Sequence, residues 1–164
     1  MHMIDLKSVE EWEEFEREIH RLHRINGVTY DAEGAHLTSQ NIWANRVCPV
    51  IKENPGSLQA ICSVAHQNAG LQVLRERKPA VVECDAGFLK ICVPVWNKDD
   101  LLGVVGGCGL LAEEGEVEAF LVGMATGVDE ETIEELAIGA PRMSDEQVKD
   151  FIRYLEEQVA EIMR

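Results

Sequence analysis

Near the amino terminus, apolar residues recur at helical spacing. Val9, Trp12, Phe15, Ile19 and Leu22 form one stripe with charged residues between them, which predicts an amphipathic helix from Ser8 to Asn26. Ser8 and Glu11 make a capping box at its start, and Gly27 stops it. The period then shortens. Val28–Tyr30 and Ala35–Thr38 read as two short strands around a "DAEG" turn, a hairpin following a helix. The connector "NIWANRVCPVIKENPG" carries a short helical turn and is punctuated by Pro49 and Pro55–Gly56. Ser57 opens a second long helix, running to about Arg77. Leu58, Ile61, Cys62, Ala65, Ala69, Leu71 and Leu74 are its expected buried side, and Pro79 ends it.

Three strands follow at Ala80–Glu83, Phe88–Trp96 and Leu101–Leu111, the last two joined by the polar turn "NKDD". "EEGEVEAFLVGMATG" mixes periods and predicts no single element, whereas "DEETIEELA" reads as a short helix. The last element has a capping box at Ser144 and Gln147. Its stripe of Val148, Phe151, Leu155, Val159 and Ile162 suits packing on its own sheet or on a second copy of the chain. This order predicts an α/β (α+β) domain, a central antiparallel sheet flanked by helices, as in PAS- and GAF-like sensory domains. No repeat or linker divides the chain. It reads as one domain over 1–164, with an N-terminal helical region at 1–27 and a C-terminal helix at 144–164 suited to dimerisation or output.

Charge narrows the function. Fifteen basic residues stand against 30 acidic ones, a net charge of −15. Nucleic-acid binding requires clustered Lys and Arg, and anionic membranes attract the same residues, so neither is an expected partner. No signal peptide or membrane-length apolar run occurs, and a cytoplasmic location is expected. There the five cysteines would be reduced thiols or metal ligands. They form no C-x-x-C pair.

Three stretches carry a family resemblance. "IDLKSVEEWEEFEREIHRLHRINGVTYDAEGAHLT" resembles the opening of PocR-type sensory domains, with Gly27, Asp31 or Glu33, and Gly34 loosely matching a glycine–acid–glycine hairpin. "VCPVIKENPGSLQAICSVAHQNAG" is similar to the next segment, and places Cys48 and Cys62 at its two cysteine positions. "VVECDAGFLKICVPVWNKDDLLGVVGGCGLL" matches best. Two departures stand out: Asp85 follows Cys84 where the family usually has histidine, and Cys108 replaces a polar amide after the paired glycines. The resemblance implies a sensor of small organic molecules, such as simple alcohols or other hydrocarbon derivatives. Lacking a fused output module, it would act on a separate signalling partner protein.

In the strand hairpin, a four-residue turn pairs Trp96 with Leu101, Val93 with Val104 and Leu89 with Cys108. That register puts Cys108 on the apolar face near Cys84, and turns Lys90 and Cys92 to the other face. Added to Cys48, Cys62 and Cys84, which the resemblance implies as the family's cysteine positions, Cys108 gives four thiols expected to converge on one end of the sheet. Buried thiols acting as small hydrophobes are one reading. A zinc or iron–sulfur centre on these four is a second, and would make the sensor redox-responsive. A thiol enzyme using Cys62 with His66 one helical turn on, or Cys84, is a third. A structural or assembly domain without ligand is a fourth. Trp43, His66, Asp85, Phe88 and Gly107 are candidate ligand-binding residues, the last because strand glycines let a ligand approach the backbone.

Overall fold

The computed structural model describes residues 1–164. Its elements are α1 (Met3–Leu6), α2 (Val9–His23), β1 (Asn26–Asp31), α3 (Cys48–Glu53) and α4 (Pro55–Ser57). A π-helical stretch (Leu58–Ser63) leads directly into α5 (Val64–Glu76). Then come β2 (Ala80–Glu83), β3 (Phe88–Asn97), β4 (Asp100–Ala112), α6 (Ala119–Thr126), α7 (Glu130–Ala137), β5 (Arg142–Met143) and α8 (Asp145–Ile162). The sheet order is β1-β4-β3-β2, antiparallel throughout. Two-residue β5 adds alongside the end of β4 in parallel. The architecture is the expected antiparallel sheet between helices, consistent with a PAS/GAF-like sensory fold.

One face of the sheet is closed by α2 and α8. Trp12, Phe15 and Ile19 meet Phe151 and Leu155 over Ile91, Val93, Val95 and Val105. The capping boxes at Ser8–Glu11 and Ser144–Gln147 both form. The C-terminal helix thus folds back on its own sheet, with Phe151 and Leu155 fully buried. A buried acid ties this layer to β1. Glu16 accepts hydrogen bonds from Thr29 (2.6 Å) and Thr38 (2.7 Å), and from Gln40 (3.1 Å). Burial pushes its carboxyl above the usual range, while these three donors pull it back.

The first hairpin is only half made. Asp31 builds its turn by accepting from the Glu33 and Ala35 amides. The returning arm, however, contributes a single bridge, Tyr30 with His36, rather than a strand at Ala35–Thr38. Strand β1 instead pairs with β4.

Two bulges reset the β3–β4 register. Trp96 does pair with Leu101, but Leu102 is then left without a partner, so Val93 meets Val105 and Cys108 meets Lys90. A second extra residue falls at Gly109, whose φ of 103° suits glycine. The face assignment expected from an unbroken hairpin is therefore reversed between the two bulges, from Gly103 to Cys108: Cys108 shares its face with Lys90 and Cys92, not with Ile91 and Val93. Cys92 is nonetheless packing, buried among Val28, Val73, Ala80 and Val104.

The second long helix buries only part of its expected side. Ile61, Ala65, Ala69 and Val73 face the sheet, while Leu58, Leu71 and Leu74 are exposed. Ala65, Ala69 and Val73 recur at i, i+4 and i+8, one face of a regular α-helix, which leaves Leu71 and Leu74 on the other side. Alanines at the contact let α5 lie close to the sheet.

Candidate functional site

A cavity of about 340 Å³ opens between the α3–α5 arm and the sheet. Its walls come from elements that the sequence holds in place by local chemistry. The first wall is α3. Asn45 Oδ1 accepts from the Val47 and Cys48 amides, both at 2.8 Å, capping the helix from its side chain. The Asn45 amide donates to Cys48 Sγ (3.1 Å) and to the Gly109 carbonyl (2.7 Å). One asparagine thus locks α3, Cys48 and the β4 bulge together. A side chain at Gly109 would press on Ala44 and Asn45.

The second wall is the π-helical stretch and start of α5, which present Ile61, Cys62, Ala65 and His66. The third is the sheet, with Tyr30, Phe88, Lys90 and Cys108. Cys84 enters from the turn before β3. That turn is pinned by the Cys84 amide on the Phe88 carbonyl and by Gly87, where a Cβ would overlap the Glu116 carbonyl.

All four expected thiols, Cys48, Cys62, Cys84 and Cys108, therefore line one cavity, together with His66 and Phe88. The other candidates lie elsewhere. Asp85 is on the exposed side of its turn. Trp43 is exposed, with the Lys52 ammonium 5.8 Å from its ring. Gly107 faces the opposite layer, where a Cβ would meet Ile25 at 2.8 Å; Gly109 is the glycine at the cavity.

Three of these thiols are held protonated by burial. Burial pushes Cys48 and Cys62 up, the latter against a partial pull from Lys52. Burial also raises Cys84, although the backbone amides of Phe88, Ala86 and Gly87 oppose it. None is prepared as a nucleophile. No hydrogen bond joins His66 to Cys62; instead the His66 ring stacks on Tyr30 at 3.7 Å, and its buried Nδ1 has no partner. Burial, then the charge of Lys90, depresses His66 to about 4, so it is neutral at pH 7. No three His, Cys, Asp or Glu side chains are grouped tightly enough to hold a metal ion.

Of the polar end of the cavity, only His66 was anticipated. Tyr30, His36, His66 and Lys90 cluster there, and the Lys90 ammonium donates to the Tyr30 hydroxyl at 2.9 Å. Lys90 is only 5% exposed. Its one sequence signal is a lysine inside the otherwise apolar run "FLKICVPV".

The family model for the sensory domain found in PocR matches residues 5–164. The chain belongs to the PocR sensory-domain family. No curated protein and no solved structure gives a significant match. The family is a sensory one, and the cysteine positions that suggested it are among those that surround the cavity. No helix is long and apolar enough to cross a membrane.

Proposed function

We propose that the chain is a small-molecule sensor whose ligand occupies the cavity between α3, α5 and the sheet. The observation that supports this is the cavity itself: about 340 Å³, with an apolar end at Ile51, Ile61 and Phe88 and a polar end at Tyr30, His66 and Lys90. Natural cores are close-packed, and a void of this size with convergent polar groups suits a ligand of a few carbons. The arm that covers the ligand contains the π-helical stretch, a geometry concentrated at functional sites. Ligand occupancy would shift this arm and pass the change to a separate protein. A thermal-shift screen of small alcohols, diols and organic acids tests the reading. At least one should raise the melting temperature of the wild type and fail to do so in Ala65→Phe, which plugs the cavity. Equal shifts in both proteins, or none in either, would overturn it.

A second reading rests on the four thiols around the same cavity. A zinc or iron–sulfur centre would require them to draw together beyond their present arrangement and to lose their protons, as metal binding drives. Anaerobically purified protein with stoichiometric metal or visible absorbance would support it. A colourless, metal-poor preparation would remove it.

A further inference from the structure

The cavity contains a charge that nothing in the protein balances. Lys90 is 95% buried, and its ammonium has one hydrogen-bond partner, the neutral Tyr30 hydroxyl. It makes no ion pair: the five salt bridges of the chain lie elsewhere, on the surface. Lys52, the other lysine of the lining, is not in an ion pair either. The single carboxylate of the lining, Glu33, is exposed and within 4 Å of neither.

The neighbours of Lys90 cannot supply the missing charge. Burial pushes the Tyr30 phenol up, against the pull of Lys90, so it stays protonated. Burial likewise raises Cys92. Burial opposes the charge on Lys90 as well, while the hydrogen bond to the Tyr30 hydroxyl favours the ammonium form. An ammonium buried without a counter-ion costs several kcal/mol. In a protein with a net charge of −15, a positive interior is a local arrangement, not a reflection of composition. Unbalanced buried groups of this kind mark sites completed by something outside the chain. An alcohol could accept a hydrogen bond from Lys90 but would leave its charge unmatched.

Taking the cavity as the ligand site, we infer that it selects a small organic acid. The carboxylate pairs with Lys90 beside Tyr30 and His66, and the short apolar tail lies among Ile51, Ile61 and Phe88.

Calorimetric titration with butyrate and with 1-butanol, each into the millimolar range, on wild type and Lys90→Met tests this. Methionine keeps the length and removes the charge. Wild type should bind butyrate on the order of tenfold or more tightly than butanol, and the variant should lose that preference, the penalty expected when one member of a buried charge pair is removed. Butanol binding to wild type as tightly as butyrate would overturn the acid assignment and leave the sensor reading standing. So would undiminished butyrate binding by a folded Lys90→Met. If neither a C2–C6 acid nor its alcohol binds wild type, both readings fall. Should Lys90→Met not fold, the wild-type ratio of butyrate to butanol decides alone.

Discussion

The two faces of the sheet are built to different rules. On the α2–α8 face, large rings and branched chains fill the space: Trp12, Ile19, Phe151 and Leu155 are all fully buried. On the α3–α5 face, the contacts are small, Ala65, Ala69 and Val73, and a cavity is left open beside a lysine, a histidine and four thiols. The first face holds the fold. The second gives up packing for a site and holds Lys90 without a counter-charge and His66 Nδ1 without a partner, where the first holds one unpartnered nitrogen, His23 Nε2 beside Phe151. One sheet therefore serves as both foundation and floor, and the energetic cost of the site is confined to one side of it.

The largest test of this division compares truncations on the two sides. Phe151→Ala removes a ring that is 0% exposed and that touches His23, with ring centroids 4.8 Å apart. It should cost about 3–5 kcal/mol in chemical denaturation. Ile61→Ala, on the cavity wall, should cost only about 2 kcal/mol, because part of its surface already faces open space and fewer contacts are lost. Equal losses would mean that the cavity face is packed as tightly as the other, and the comparison would collapse.

A smaller effect concerns pH. His66 is depressed to about 4, first by burial, then by the charges of Lys90 and His36. In the unfolded chain it titrates near 6.5, so between those values the unfolded state binds more protons. The stabilisation from keeping His66 neutral is present above pH 6.5 and is lost as pH falls to about 4. The loss amounts to about 3 kcal/mol. His66→Phe keeps a ring against Tyr30 and cannot titrate. Its stability curve should be flatter than that of the wild type by this amount over the same window. Parallel curves would show that His66 is not the group through which the cavity face senses acid, and would place its ring in solvent.

How much of this was legible beforehand follows the same division. Strands β2 to β4 were readable because β-branched runs are bounded by Pro79, Gly87 and a polar turn. The α2 and α8 stripes were readable because their periods are unbroken and their caps intact. The cavity face resisted because its geometry depends on extra residues that leave no mark in a periodic pattern. The extra residue at Leu102 shifts the ladder by one, which is enough to move Cys108 from one face to the other and bring it beside Lys90; the one at Gly109 shifts Leu110 and Leu111 back. In α5 the face set by Ala65 and Ala69 continues to Val73 rather than to the larger Leu71 and Leu74. The convergence of Cys48, Cys62 and Cys84 was still visible, since each sits at an element boundary whose place a bulge does not alter. Lys90 carries no functional signal in the sequence, because a lone lysine in a strand ordinarily faces water; its burial shows only once the fold is known.

The smallest test asks whether the looseness of the cavity face resides in the helix backbone or in the cavity walls. Gly70 lies in α5, one turn beyond His66, with no atom within 4 Å of where a Cβ would stand and no positive φ. Glycine there serves no turn and no close approach. It adds freedom to the unfolded chain and weakens the helix relative to alanine. Gly70→Ala should therefore stabilise the protein by about 0.5–1 kcal/mol in denaturant titration. If the cavity admits its ligand by movement of the side-chain walls alone, butyrate should bind the variant as it binds wild type. If binding weakens while stability rises, the glycine is a hinge of the α3–α5 arm, and the flexibility of that face belongs to the helix that covers the site rather than to the side chains that line it.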